Sequence, residues 1–281
     1  MLDREEYIEQ AYFFRTMRER LAQDTAAQEL LEGIGEEVLA TTRLPIAIGF
    51  LAGELQLHGK LGEGMARLSH YFTPFQAFVV QKAEEDKSRL DFRIALELLE
   101  REAEYRAAET PQLAALFVFQ FECIARNRLG YDHGLLAVSK DPFYSPEWSS
   151  WIARIRFELG TTDFAELVYA RSQQWVEDVR KRTGQSEFVA PYPILFEQQA
   201  GRIAKANFGK DPLFMFAALQ RQLGYPAVPR PEPARSRSVL DPVVDTRFQR
   251  LEARLALLEQ EQKGGLDLTP FMKGPQGLES P

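Results

Sequence analysis

The chain is poor in the residues that carry much of enzyme chemistry. It has one cysteine, Cys123, and three histidines, His58, His70 and His133, in 281 residues. A single cysteine excludes an intramolecular disulfide and fits a reducing compartment. No serine nucleophile elbow, phosphate-binding loop, dinucleotide fingerprint or paired-cysteine motif is present. The nearest approach to a phosphate loop, Gly59-Lys60-Leu61-Gly62-Glu63-Gly64, follows a helical pattern rather than a strand and reads as a helix–helix turn. The longest apolar run, Leu44 to Gly53, is far shorter than the roughly 20 residues of a spanning helix. The opening Met-Leu-Asp-Arg-Glu-Glu is too acidic and polar for a secretion signal. These gaps lead to the expectation of a cytoplasmic protein with no membrane span and no cofactor.

Positive charge is also in short supply. The formal net charge of −7 argues against a general grip on nucleic acid or anionic membrane. Arg202, Lys205, Phe208, Lys210, Phe214, Phe216, Arg221 and Tyr225 do interleave basic and aromatic residues, but the aromatics fall at core spacing. Cys123 lacks a nearby histidine partner and reads as a small core residue.

Helix punctuation is abundant. Apolar residues make up 45% of the chain and charged residues 27%, which suits a globular body. Thr73-Pro74, Thr110-Pro111, Asp141-Pro142, Ser145-Pro146, Asp211-Pro212 and Asp241-Pro242 each place a capping oxygen before a proline whose φ is already helical. Thr73 with Gln76, and Asp163 with Glu166, have capping-box spacing. Gly59, Gly130, Gly160, Gly184, Gly209 and Gly224 stand where helices should stop.

Between these marks apolar residues recur at helical spacing and no alternating β-branched run stands out. Helices are expected from Tyr7 to Met17, Pro45 to His58, Pro74 to Ala107 with a polar weak point at Gln81 to Arg89, and Leu113 to Ala125. Pro146 to Leu159, Phe164 to Lys181, Ile194 to Phe208 and Pro212 to Leu223 complete the body. Leu113 to Ala125 is apolar nearly all round and should be a buried central helix. The fold class is all-α: a multi-helix globular bundle over 1–224, a Pro/Arg-rich linker over 225–241, a short coiled-coil helix over 242–263 and a disordered tail over 264–281.

The coiled-coil reading rests on Val244, Phe248, Leu251, Leu255 and Leu258, spaced 4, 3, 4 and 3 as an a/d seam. Arg247 and Arg254 fall at g, and Glu252 and Glu259 at e. The repeated Arg-apolar-x-x-apolar-Glu string resembles the short trimerisation motif of coiled coils. That resemblance implies arginines reaching glutamates of a neighbouring helix, and a homo-oligomer, trimer favoured over dimer. Folding back onto the chain's own body is the alternative for a helix this short. Leu266, Leu268, Phe271 and Met272 give the tail apolar anchors for docking into a groove of another protein.

Two places gather groups able to do chemistry. Glu54 and His58 share a helical face, and with His70 and Glu84 they form a candidate metal set, although the spacing matches no established metal pattern. An ordinary surface i,i+4 pair between Glu54 and His58 is the plainer expectation. Glu122 lies within the most apolar helix, four residues before Arg126, with Arg128, Asp132 and His133 close behind. A carboxylate there needs a partner, so these residues form a candidate polar pocket or a structural ion pair. The function expected is a non-enzymatic interaction or scaffold protein with an unidentified protein partner. A metal- or small-ligand-binding helical-bundle enzyme is the alternative.

Overall fold

The order of helix starts and stops in the sequence is largely the order of elements in space. The structure, a computed structural model, describes residues 2–21, 26–86 and 88–230. Among the described residues there are thirteen α-helices and no strand. They are α1 (Arg4–Leu21), α2 (Ala27–Glu37), α3 (Leu44–His58), α4 (Leu61–Arg67), α5 (Pro74–Ala83), α6 (Phe92–Arg106) and α7 (Leu113–Asn127). They continue with α8 (Tyr131–Ser139), α9 (Pro146–Glu158), α10 (Phe164–Ala170), α11 (Gln173–Thr183), α12 (Gln198–Ala206) and α13 (Pro212–Leu223). Among the described residues no helix is long and apolar enough to cross a membrane.

The expected caps form at several starts. Thr73 and Gln76 make a reciprocal capping box at α5, so two orphan donors of the helix end are satisfied. Ser145 accepts from Trp148 N at α9, and Asp211 from Leu213 N at α13. The six glycines named as helix stops all have positive φ. The weak point between Gln81 and Arg89 is a real break, between α5 and α6.

Four expectations are corrected. Thr110 does not cap α7; that helix starts at Leu113, where the Tyr105 hydroxyl accepts Gln112 N at 3.1 Å. Pro142 starts no helix: Asp141 Oδ1 accepts Phe143 N at 3.0 Å as a cap would, but only a turn follows, and the carboxylate is buried. The helix expected from Phe164 to Lys181 is two: Ser172 takes an extended conformation and caps α11 by accepting from Trp175 N. The helix expected from Ile194 begins only at Gln198, because Leu195 N and Phe196 N instead donate to Arg171 O at 2.8 and 3.1 Å.

The boundary of the body also moves. Tyr225 and Val228 are buried, and Asn127 Nδ2 donates to Pro229 O at 3.4 Å, so the body does not close at Gly224. The rest of the linker, the coiled-coil residues Val244 to Glu259 and the tail anchors Leu266 to Met272 lie outside the described residues.

Helix α1 lies along α6, α2 along α3, and α8 along α9. As expected, α7 is buried, from Ala115 to Ile124 without interruption. Its Phe117 and Phe121 anchor an aromatic core, with Phe121 stacked on Phe164 at 3.8 Å and Phe117 edge-on to Trp151 at 5.0 Å. Burying each such ring contributes on the order of 1.5–3 kcal/mol.

Candidate functional site

Glu122 behaves as its surroundings require. Arg126, one turn on, pairs with Glu122 Oε1 inside the body. The Tyr225 hydroxyl, from beyond α13, donates to Oε2 at 2.7 Å. Burial, then the adjacent carboxylate, pushes the Tyr225 phenol far above its ordinary value. A carboxylate with both oxygens engaged is stable in the core and locks the segment after α13 against α7.

The other residues of the expected polar pocket do not join it. Arg128 is the left-handed C-cap of α7 and is exposed. Asp132 pairs with Arg156 Nε at 2.8 Å on the surface. His133 is exposed and lines a separate groove of about 570 Å³, with Gln81, Lys82, Glu85 and Lys140. The expected cluster is therefore an ion pair at the end of α7 and three residues that face elsewhere.

The candidate metal set does not converge either. Glu54 accepts from Arg67 Nη1 with both oxygens, each at 2.8 Å, rather than pairing with His58. Glu84 is spent on backbone, accepting Leu61 N at 2.6 Å and Gly62 N at 3.0 Å to cap α4 from outside. This is why Gly59 to Gly64 is more than a turn: an external carboxylate satisfies the first N–H groups of a short helix. His58 and His70 are exposed. Among the described residues no group of three or more His, Cys, Asp and Glu is placed to hold a metal ion.

A larger buried charge cluster went unread in the sequence. Arg106 Nη2 donates to Glu102 Oε1 at 2.9 Å and also pairs with Asp141, and the Glu102 and Arg106 side chains are fully buried. Gln120 Nε2 donates to the same Glu102 oxygen at 2.6 Å, and its Oε1 accepts the Tyr144 hydroxyl at 2.7 Å. Phe143 lies against the guanidinium at 5.4 Å, and Tyr7 at 5.9 Å. Burial works to lower the Arg106 pKa, but Glu102 and Asp141 outweigh it and hold the guanidinium charged. Burial raises the Glu102 carboxyl against the pull of Arg106.

Comparison of the chain with protein-family models, curated proteins and solved structures gives no match. Function must therefore be argued from what the surface offers.

One helix offers an unusual surface. On α3 the exposed positions are Ile46, Gly49, Phe50, Gly53, Gln56, Leu57 and His58, with no Asp, Glu, Lys or Arg among them. Ile46 is 79% exposed, Phe50 38% and Leu57 76%. A Cβ built at Gly49 or Gly53 would meet nothing within 4 Å. Those glycines serve no packing within the described body, yet each costs a helix interior about 1 kcal/mol relative to alanine. The sequence marks this stretch as a very apolar helix but does not say which of its apolar residues face outward.

Proposed function

We propose that this is a cytoplasmic, cofactor-free helical interaction protein. Its body docks a helix of another protein along α3, and its C-terminal heptad residues gather copies of the chain. The observation that carries this reading is the outward face of α3, where Ile46, Phe50 and Leu57 flank two open glycines.

The occupant follows from the face. An uncharged stripe gives a charged surface nothing to pair with. Glycines four apart let the backbone of a second helix approach closely, so that apolar residues on both sides interdigitate. A second copy of α3 suits it less well. Isologous pairing satisfies faces two at a time and leaves one face open in each three-chain assembly. Three tethered bodies would instead raise avidity for a partner without adding contacts.

The test uses the full chain and two double variants. Leu251→Asp with Leu258→Asp should lower the mass seen by light scattering while circular dichroism of the body is unchanged. Phe50→Asp with Leu57→Asp should leave that mass unchanged but abolish co-purification of a partner that the Leu251→Asp/Leu258→Asp variant still retains at reduced yield. An unchanged mass in the first variant removes the self-association. A fall in mass in the second makes α3 a self-interface instead.

A further inference from the structure

Arg171 is a buried cation with no ion-pair partner among the described residues. It closes α10, and its residue is only 7% exposed. Its backbone is fixed by Leu195 N and Phe196 N, which both donate to its carbonyl. Behind it α12 approaches so closely that a Cβ at Gly201 would fall 2.1 Å from Ser172 Oγ. The backbone from which the side chain springs is therefore fixed. It lies over the Tyr192 ring at 4.2 Å, and Nη1 donates to Pro193 O at 3.3 Å. Among the described residues no carboxylate lies within ion-pair distance of it, and its other guanidinium N–H groups make no hydrogen bond to protein and are open to water.

The surroundings add positive charge. Arg171 lines a groove of about 390 Å³ together with Arg154, Ser150, Trp151 and Tyr192. Arg154 is largely exposed and holds Glu158 at 3.0 Å, so that carboxylate is already engaged. Burial, and next the charge of Arg154, hold the Arg171 pKa below its ordinary value. Glu147 is the groove's only carboxylate. It makes no ion pair with either arginine, and a hydrogen bond involving Ser145 at the start of α9 lowers its pKa. Arginine presents its N–H groups in a planar fork that matches an oxyanion bidentately. The part of the fork not bonded to Pro193 is open to water in the groove, where an oxyanion can replace that water.

We propose that the groove between α9 and the 191–193 segment binds a small organic oxyanion, its phosphate or carboxylate seated on Arg171 and Arg154. The volume exceeds what a bare ion needs and falls in the range of small-ligand pockets, so a compact apolar body would lie along Trp151.

Calorimetry on the full chain in chloride buffer, with phenyl phosphate, benzoate and inorganic phosphate as probes, tests this. The expected result is saturable binding of phenyl phosphate or benzoate, one per chain, at about millimolar affinity or tighter. Whichever probe binds more tightly identifies the head group. Arg154→Gln, an exposed change that keeps the fold, should weaken binding about tenfold or more. Arg171→Gln should abolish it. Arg221→Gln, an exposed arginine outside the groove, should leave it unaltered. Absence of binding by the wild-type chain overturns the proposal, as does an equal loss in Arg154→Gln and Arg221→Gln, which would mark diffuse charge attraction.

Discussion

Arg106 and Arg171 are both buried arginines, and their surroundings differ in sign. Arg106 sits between two carboxylates, and a glutamine and a tyrosine extend the same network. Arg171 has one carbonyl, one aromatic face and a second arginine nearby. Around Arg106 the fold places two carboxylates against one cation, and burial, with a smaller push from Asp141, raises the Glu102 pKa against the pull of Arg106. Around Arg171 no carboxylate is within ion-pair distance among the described residues, and burial, then the charge of Arg154, lower the arginine pKa against a weaker pull from Tyr192 and Glu158. The first arrangement is sealed from water, with Arg106 Nε and Glu102 Oε2 left without a hydrogen-bond partner, and joins α6 to α7 and to the Asp141 turn. The second opens onto a groove, and its missing charge must come from solvent or a ligand. Burial of a cation alone does not distinguish a lock from a site; the location of the compensating anion does.

The largest expected effect breaks the first half of this contrast. Arg106→Met leaves Glu102 and Asp141 buried together with no cation between them. Breaking a buried pair by removing one partner costs about 3–5 kcal/mol, read as a lower urea midpoint. A loss under about 1 kcal/mol would show that Arg106 is not the lock of the network. Glu102→Gln tests the excess negative charge. Burial raises the Glu102 carboxyl above its ordinary 4.5 in the folded state. The folded protein then binds the proton more tightly than the unfolded chain does. Its contribution to stability is present below 4.5 and is lost as pH rises through the folded pKa, by at most about 1.4 kcal/mol per pH unit. The variant should lose that falling slope in urea titrations above pH 4.5. An unchanged slope would place the excess charge elsewhere.

Local signals made much of the fold legible, and distant pairings hid much of the site. Thr73, Ser145 and Asp211 cap where the sequence put them, because a cap needs only residues within one turn. Helices α2, α4 and α8 lack a side-chain cap of their own, and none was marked in advance. Asp141 carried the same Asp-Pro signature as Asp211 and accepts from the N–H two residues on as Asp211 does, but Arg106, 35 residues away in sequence, shares its carboxylate and only a turn follows. Glu102 lies in a glutamate-rich stretch with Glu97, Glu100 and Glu104, off the face those three share, and went unread in the sequence. Only the packing of α6 against both α1 and α7 decides which of them is buried. Glu122 and Arg126 were legible as a pair four residues apart, whereas Tyr225, 103 residues on, was not. Arg171 looked like an interior residue of one long helix. The break at Ser172 depends on Phe196 and Gly201, which no window around residue 171 contains.

The smallest expected effect is the most discriminating. Arg171→Met removes a stacking contact with Tyr192 and one hydrogen bond to Pro193, together worth on the order of 1–2 kcal/mol. It also removes the desolvation of a charge that has no ion-pair partner among the described residues, which acts in the opposite direction. The two should nearly cancel, leaving the urea midpoint in ligand-free buffer within about 1 kcal/mol of wild type. A saturating oxyanion should separate the two proteins, because only wild type gains stability from binding it. If Arg171→Met instead destabilises the free protein as strongly as Arg106→Met does, then Arg171 is a second lock. The contrast between a charge balanced from within and one left for a ligand would then fail at the residue on which it depends.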